Sequence, residues 1–505
     1  MTNEDFGEVT TFYSYKGGTG RSMALANVAC LLAKPQKGWV LMIDWDLEAP
    51  GLHRFFRKRI KEGSNAKDNR ALRENPGLID LFYELKETLS KYDSLTENDI
   101  IKSFDDIDFN RFILETNIPS LYLIKAGRFD ENYATKVNSF NWVEFYRKFP
   151  EVFKNLAMYL SKKYKHILID SRTGITDISG ITTMLMPDRL IAVFTPNRQS
   201  LRGVLRVTED ALDYRKQSDD LRPLTIFPLP SRIEASEPDL RYKWCHGDPE
   251  QEILGYQVEF ENLFKDIYDL ADCSLEDYFN EVQIQHVPRY SYGEEIAVLV
   301  EASQDRFSLT ESYENFTRKI VDLKAPWINL KDEAKYAQLN KPNQIRPPPA
   351  DFKGRKEEIC DILSNFDKGA TITGLRGMAG VGKTALALVL ADKLKGRFPD
   401  GNLILNLQGT TRSPLSSAEA MAQIIHSYYP TDRLPENENE LHGLYLSVLA
   451  GKRVLLLLDN VADRDQVEPL LPPSNCAVLI TSRNKFYSAG ISGARSGCIA
   501  SDRSS

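Results

Sequence analysis

The chain has 505 residues, a formal net charge of −7 and 42% hydrophobic residues. This length allows two or three domains with separate cores, and the mild negative charge argues against general binding to DNA or RNA. No apolar run approaches the roughly 20 residues that span a bilayer, the N-terminus lacks a signal-peptide pattern, and the 6 cysteines form no Cys-x-x-Cys pair. We therefore expect a cytoplasmic protein with reduced thiols and with no nucleic-acid or membrane partner.

A glycine-rich stretch near the N-terminus carries the first chemical signal. It reads Tyr13-Ser-Tyr-Lys-Gly-Gly-Thr-Gly-Arg-Ser22 and lies between an apolar run at 9–13 and a helical pattern at 23–33. Glycines between a strand and a helix let backbone N–H groups surround phosphate oxygens, and the helix N-terminus adds positive charge. The P-loop pattern G-x-x-x-x-G-K-[ST] fits loosely, because Tyr15 replaces its first glycine and Arg21 its lysine.

This loop resembles the "deviant Walker A" loop of the partition, septum-site and nitrogenase-iron-protein ATPases, in the subgroup with arginine as the second basic residue. The resemblance implies that Lys16 reaches across a dimer to the partner's nucleotide. A guanidinium holds phosphate bidentately but is bulkier than an ammonium, so we expect binding to survive and leave fast hydrolysis open. The predicted nucleotide-binding residues are Gly17, Gly18, Thr19, Gly20, Arg21 and Ser22.

Two later apolar runs end in carboxylates. Residues 39–46 end in Asp44 and Asp46, and residues 164–170 end in Asp170. Ligands bind at the carboxyl ends of parallel strands, although such a pair also fits solvated carboxylates at a strand end. The resemblance implies that Asp44, Asp170 and Ser22 serve Mg²⁺ and that Asp46 is catalytic with Lys16, orienting the attacking water. The glycine loop, the strand that ends in Asp44 and Asp46, and the strand that ends in Asp170 follow one another in the order found in these ATPases. This order makes the ATPase signal strong over roughly residues 7–325.

A proline-rich stretch marks the predicted domain boundary. Residues 326–350 are polar and contain three consecutive prolines at 347–349, which favour an extended, semi-rigid spacer. The predicted organisation is a first domain over 1–325, this linker, a second domain over 351–487, and a small, polar tail over 488–505 that we expect to be disordered.

A second glycine loop follows the linker. Residues 377–384 match G-x-x-x-x-G-K-[ST] in full, and strand patterns later end in Asp459 and at Thr481-Ser-Arg483. With the Phe352-Lys-Gly-Arg entry, these motifs resemble the NB-ARC/STAND signalling ATPases. The resemblance implies that Thr384 and Asp459 serve Mg²⁺ and that Arg483 senses the γ-phosphate. The predicted nucleotide-binding residues are Gly377, Gly380, Val381, Gly382, Lys383, Thr384 and Arg483.

STAND proteins continue into a further core strand, a helical lid, a winged helix and a repeat array. This chain stops about twenty residues after Arg483. The resemblance therefore predicts an incomplete second domain, from a truncated or frame-shifted form of a longer protein, with its P-loop strand at an open sheet edge. It also predicts weaker nucleotide binding there.

These patterns predict an α/β protein with two P-loop NTPase domains, each a mostly parallel sheet flanked by helices. The predicted function is an ATP- and Mg²⁺-dependent switch in a cytoplasmic signalling or defence-type assembly, gated by nucleotide-dependent homodimerisation of the first domain and acting on protein partners. Two alternatives stay open. One is a non-hydrolysing nucleotide-binding scaffold, and the other is a partition or positioning ATPase on DNA or membrane, which would need a basic surface or an amphipathic terminal helix.

Overall fold

The chain divides into two compact units, which are considered separately. The first comprises residues 1–218, 224–263 and 274–331, and the second comprises 219–223, 264–273 and 332–505. The computed structural model describes residues 6–34, 38–61, 70–92, 96–218, 220, 222–234, 236–248, 251, 253–268, 270, 272–291, 294–301, 308–323, 325–328, 341–349, 352, 354–367, 372–376, 378, 381–411, 414–430, 434–435, 437–473 and 475–483.

The first unit is built on a sheet with eight described strands. They are β1 Glu8–Tyr13, β2 Val40–Asp44, β3 Leu114–Glu115, β4 Leu121–Ile124, β5 His166–Asp170, β6 Arg189–Phe194, β7 Thr225–Ile233 and β10 Ile284–Gln285. Between β7 and β10, β8 Gly247–Asp248 and β9 Ile253–Leu254 form a separate short hairpin. The strand order is β10-β7-β6-β1-β5-β2-β4-β3, and neighbours are parallel except β3 and β4. The predicted parallel sheet is confirmed.

Helices follow or separate these strands. They are α1 Arg21–Leu32, α2 Leu52–Phe55, α3 Arg70–Glu74, α4 Leu78–Leu89, α5 Glu97–Asp105, α6 Tyr133–Ser139, α7 Trp142–Lys148, α8 Val152–Ser161, α9 Asp177–Gly180, α10 Arg198–Gln217, α11 Pro238–His246, α12 Tyr256–Tyr268, α13 Glu276–Glu281, α14 Pro288–Ser291, α15 Ala297–Val300 and α16 Leu309–Asp322. A 3₁₀ turn covers Phe109–Phe112, and a π-helical turn covers Ile181–Leu185. Among the described helices of the whole chain, none is both long and apolar enough to cross a lipid bilayer.

Strand order brings the predicted motifs together. β1 lies between β5 and β6, and β5 lies between β1 and β2. In register, Phe12 faces Asp170, and Asp170 faces Asp44. The end of the P-loop strand and two carboxylates therefore meet at one edge of the sheet, where parallel strands bind ligands.

Strand β7, Thr225–Ile233, runs through two prolines, Pro228 and Pro230. Proline has no N–H to donate to a sheet. The short strand β10 pairs only with Ser231 and Ile233, so these prolines face no described ladder partner on that side. Because no described strand requires an N–H from Pro228 or Pro230 on that side, β7 continues through both prolines.

The second unit has a four-stranded parallel sheet among its described residues. Its strands are β11 Ile372–Arg376, β12 Gly401–Asn406, β13 Val454–Val461 and β14 Ala477–Ser482, in the order β11-β14-β13-β12. The helices are α17 Lys356–Asp367, α18 Lys383–Leu394, α19 Ser417–Tyr428, α20 Glu438–Leu449 and α21 Arg464–Val467, with 3₁₀ turns at Lys395–Arg397 and Glu468–Leu470. The P-loop strand β11 lies at one edge of this sheet, as predicted.

Part of the predicted linker is paired to the second unit. The N–H of Asn402 donates to the carbonyl of Pro342, and the N–H of Gln344 donates to the carbonyl of Asn402, both at 2.8 Å. Asn343 thus forms a parallel bridge beside β12. Residues 342–344 therefore belong to the edge of this sheet. Residues 329–340 of the predicted spacer lie outside the described residues. The predicted tail at 488–505 lies outside them as well.

Lys125, which directly follows β4, should make the stability of the first unit depend on pH. Its side chain is buried, donates to the carbonyl of Gly127 and lies 4.6 Å from the ring centre of Phe129. Burial lowers the pKa of Lys125 to about 8. The unfolded chain, with the ordinary lysine pKa near 10.4, binds the proton more tightly, so stability rises as the pH increases above about 8.

Replacing Lys125 with methionine should remove this pH dependence. We expect the free energy of unfolding of wild type, relative to Lys125→Met, to increase by up to about 1.4 kcal/mol per pH unit between pH ~8 and pH ~10.4, and to level off above that. Urea unfolding of the first unit at several pH values measures this difference. The exposed Lys162→Met is the control, and it should follow wild type. Parallel curves for wild type and Lys125→Met would contradict the prediction.

Candidate nucleotide sites

The first glycine loop has a backbone suited to phosphate. β1 ends at Tyr13, and the 12-residue helix α1 begins at Arg21. Gly18 and Gly20 have φ angles of 74° and 91°, in the left-handed region that favours glycine. No heavy atom lies within 4 Å of where a side chain on Gly17 or Gly18 would begin. The loop therefore leaves open space at a helix N-terminus, where anions bind.

Arg21 pairs with the predicted catalytic carboxylate Asp46 and with the predicted Mg²⁺ ligand Asp170. Its Nε lies 2.5 Å from Oδ1 of Asp170, and its Nη2 lies 2.8 Å from Oδ2 of Asp46. All three residues are buried. The third nitrogen, Nη1, is buried without a hydrogen-bond partner among the described residues. In this structure two guanidinium nitrogens hold carboxylates and one remains for another acceptor, so phosphate binding by Arg21 stays a prediction.

Asp44 occupies a different environment from Asp46. Its side chain is fully buried, its Oδ2 accepts the N–H of Leu52 at 3.2 Å, and Nδ1 of His53 lies 3.7 Å from that oxygen. Burial raises the pKa of Asp44, and His53 acts in the opposite direction. Burial also raises the pKa of Asp170, to about 6, against the effect of Arg21.

Three buried oxygens in this region have no described hydrogen-bond partner. They are Oδ1 of Asp44, Oδ2 of Asp170 and Oγ1 of Thr19. Mg²⁺ takes oxygen ligands, including carboxylates and phosphate oxygens. Ser22, in the first turn of α1, also lies close enough to lower the pKa of Asp170. The residues present therefore fit the predicted Mg²⁺–nucleotide site, in which Asp44, Asp170 and Ser22 would hold the ion.

A second ion pair joins the same two loops. Nη2 of Arg172 lies 2.5 Å from Oε2 of Glu48. Arg172 follows Asp170 by two residues, and Glu48 follows Asp46 by two residues, so both sit just beyond the strand ends. The sequence analysis assigned neither of them a role, because their positions in sequence do not indicate that they meet.

Lys16 forms none of the ion pairs that Arg21 forms. Its side chain is half-buried, and its carbonyl accepts the hydroxyl of Ser14 at 3.0 Å. Its ammonium has no hydrogen-bonding or ionic partner within the described part of the chain. The predicted contact with a partner's nucleotide would supply one, and this role of Lys16 stays a prediction.

Tyr15, which replaces the first P-loop glycine, packs on the backbone of α10. A Cβ atom on Gly203 would lie 2.1 Å from Cγ of the Tyr15 ring. Alanine in a helix interior is normally about 1 kcal/mol better than glycine, but overpacking costs about 1–3 kcal/mol. We therefore expect Gly203→Ala to destabilise the first unit by about 1–2 kcal/mol and to displace the P-loop.

Denaturant unfolding measures this effect, and Gly443→Ala is the matched control. Gly443 lies within α20, and no heavy atom is within 4 Å of its Cβ position, so this substitution should stabilise its own unit slightly. Adding Tyr15→Ala to Gly203→Ala should restore part of the lost stability. A Gly203→Ala protein as stable as wild type would show that the Tyr15 contact is dispensable.

The second glycine loop precedes α18. Gly382 has a φ angle of 79°, and Nζ of Lys383 donates to the carbonyl of Met378 at 2.8 Å. The hydroxyl of Thr384 donates to Oδ1 of Asp459 at 2.8 Å. The predicted P-loop hydroxyl and the predicted Mg²⁺ carboxylate therefore meet. The predicted residues Gly377 and Gly380 lie outside the described residues.

A cavity of about 360 Å³ opens at this point. Its lining residues are Gly382, Lys383, Thr384, Ala385, Asn406, Asp459, Asn460, Thr481, Ser482 and Arg483. Burial lowers the pKa of Lys383, and the charge of Arg483 acts in the same direction. Two cations beside one carboxylate suit a polyphosphate, and the oxygens of Thr384 and Asp459 suit Mg²⁺.

Sequence reasoning missed several residues of this cavity. The hydroxyl of Thr481 donates to Oδ1 of Asp459 at 2.5 Å and accepts the N–H of Asn460 at 2.9 Å. Asn460 has a φ angle of 57°. Nη2 of Arg355 donates to the carbonyl of Val381, which ties the Phe-x-Gly-Arg entry to the glycine loop. Asn460 directly follows Asp459, and Thr481 begins the Thr-Ser-Arg motif, so both lie beside residues that the sequence motifs identify.

Known proteins resemble the second unit in sequence. Residues 352–496 match the NB-ARC domain family. The chain is 37% identical over 154 residues to regulatory protein AfsR of Streptomyces coelicolor, covering 28% of this chain and 16% of that protein. It is 30% identical over 357 residues to disease resistance-like protein CSA1 of Arabidopsis thaliana, covering 66% of this chain and 27% of that protein. The chain thus spans about a sixth and about a quarter of the two relatives.

Solved structures also resemble much of the chain, at lower identity. The cell division ATPase MinD of Pyrococcus furiosus is 17% identical with a TM-score of 0.38, covering 62% of this chain and 99% of that one. An ATP complex of McdA from Cyanothece is 14% identical with a TM-score of 0.39, covering 63% and 97%. By its own sheet order and glycine loops, the chain has two P-loop NTPase folds. The second of them matches the NB-ARC domain family over residues 352–496.

Proposed function

We propose that this chain is an ATP-binding switch in a signalling or defence-type assembly, gated by ATP-dependent homodimerisation of the first unit and turning over slowly. The names of two relatives, a regulatory protein and a disease resistance-like protein, support the signalling setting through the NB-ARC domain. The matched regions make up 16% and 27% of these two relatives.

The pairing of Arg21 with Asp46 and Asp170 carries the proposal. Asp46 lies on the loop after β2, Asp170 ends β5, and Arg172 and Glu48 join the loops that follow these two strands. A site whose predicted catalytic Asp46 and predicted Mg²⁺ ligand Asp170 are both paired with Arg21 must rearrange before it can react. That favours a switch, in which nucleotide occupancy changes loop positions, over a fast enzyme.

Phosphoryl transfer requires mainly positioning and charge neutralisation. The bound Mg²⁺ would neutralise phosphate charge. Backbone N–H groups at residues 17–22 would bind phosphate oxygens, and Lys16 from the other subunit would add a cation. Asp46 would orient the attacking water only after its oxygen separates from Arg21. Since breaking a buried ion pair is costly, this step explains slow turnover.

Phosphate release from ATP, measured against protein concentration, tests the proposal together with sedimentation in ATP, in ADP and without nucleotide. We expect a dimer in ATP only and a rate per molecule that rises with concentration. ATP binding with background phosphate release would instead support the non-hydrolysing scaffold, which the Arg21 ion pairs also favour. Salt-dependent DNA binding in the presence of ATP would favour the partition-type alternative.

A further inference from the structure

We propose that Arg21 is a built-in cation of the first site, so that this site binds the polyphosphate of a nucleotide with little dependence on Mg²⁺. The inference rests on the proposed nucleotide binding of the first unit and adds how that site handles charge. It differs from the role suggested by the loop pattern, in which the second basic residue only holds phosphate.

The first step of the argument is the charge around Arg21. Asp44 and Asp170 are paired in register on neighbouring strands, and Asp46 follows two residues after Asp44. All three side chains are buried beside the glycine loop. Negative charges in a weakly polar interior repel an incoming polyphosphate strongly. A cation must therefore stand between these carboxylates and the phosphates.

Arg21 already stands there. It is covalently part of the loop, and its exposed fraction is only 6%. Its Nε and Nη2 lie 2.5 and 2.8 Å from the oxygens of Asp170 and Asp46. Most NTPases bring Mg²⁺ for this purpose together with the nucleotide, whereas here one positive charge is fixed in place beforehand.

The second step is the unused side of the guanidinium. Nη1 of Arg21 is buried and has no partner among the described residues, and the same is true of Oγ1 of Thr19. Thr19 lies in the glycine loop and Arg21 begins α1, where the open glycines and the helix N-terminus favour anions. An oxygen of a phosphate group would satisfy these groups, so the guanidinium can bind two carboxylates and one phosphate together.

A lysine cannot reproduce this arrangement. The planar guanidinium presents five N–H donors in fixed directions, whereas an ammonium is a compact point charge on a flexible stem. With lysine at position 21, the ammonium would bind the carboxylates or the phosphate but would not bridge all three. Arg21→Lys should therefore make nucleotide binding depend on Mg²⁺.

The test measures binding of a fluorescent ATP analogue to the full chain, with Mg²⁺ or with excess EDTA. Every protein carries Lys383→Ala to remove binding at the second site. With Arg21 present, we expect EDTA to weaken binding by less than about 3-fold, and with Arg21→Lys by more than about 10-fold. The control is Arg206→Lys, because Arg206 lies on the surface of α10 with only Asp210 at 3.9 Å, and it should behave as the parent.

A loss of more than about 10-fold in EDTA for the parent protein would overturn the inference, and so would an Arg21→Lys protein as insensitive to EDTA as the parent. If Arg21→Lys melts early and cannot be compared, the parent protein with and without EDTA still decides. Absence of binding in both conditions would overturn the proposed function of this site itself, whereas Mg²⁺-dependent binding overturns only the role of Arg21.

Discussion

Lys16→Ala should reduce the ATPase rate of the chain to background, a loss of about 100-fold or more, while ATP still binds. The proposed role places the Lys16 ammonium on the nucleotide of the other subunit, and cations supplied across an interface contribute about 10³–10⁵ in related phosphoryl transfers. The half-buried ammonium has no partner among the described residues of its own chain. Its removal should therefore cost little stability.

Phosphate release against protein concentration, with calorimetry for ATP binding, measures both parts of this prediction. The matched control is Lys162→Ala, because Lys162 is exposed just after α8 and far in sequence from the glycine loop. It should retain the wild-type rate and its rise with concentration. If Lys16→Ala keeps concentration-dependent turnover, the contact across the dimer is wrong. If it loses ATP binding instead, Lys16 serves its own nucleotide.

Lys383→Ala should reduce the number of tightly bound nucleotides per chain from two to one. Hydrogen bonds to charged groups contribute about 2–3 kcal/mol, so affinity at the second site should fall by about 30- to 150-fold. Lys383 and Arg483 provide the two positive charges lining the cavity, and Lys383 begins α18 at the glycine loop. Arg483 alone cannot replace a cation held at the helix N-terminus.

Equilibrium dialysis with labelled ATP gives this stoichiometry. Lys393→Ala is the control, since Lys393 lies exposed near the end of the same helix and should leave two nucleotides bound. Two tight sites in Lys383→Ala would refute the assignment of the second site. One tight site in wild type would contradict the expectation that both sites bind tightly.

Local sequence patterns determined much of this architecture. Apolar runs ending in Asp44, Asp170 and Asp459 became buried strands, and both glycine loops stand between a strand and a helix. Such signals extend over fewer than about 20 residues, within the range of strand and helix periodicity. The fold class and the place of each glycine loop between a strand and a helix therefore followed from sequence before any contact was known.

The sequence predicted the linker and the strand boundaries less well. Residues 342–344 follow a spacer-like composition yet pair with Asn402, and β7 passes through Pro228 and Pro230. Composition reports the preference of an isolated segment. Tertiary pairing overrides that preference when a neighbouring strand supplies hydrogen bonds, and no local pattern encodes that neighbour.

Only the tertiary structure decided which charges meet. Arg21 is 25 residues from Asp46 and 149 from Asp170, and Arg172 is 124 residues from Glu48. Sequence alone placed Arg21 in a phosphate-binding loop. The order of β1, β5 and β2 brought it against two carboxylates, because parallel strands collect their carboxyl ends at one edge. The sequence thus specified the chemical groups, and strand order specified their partners.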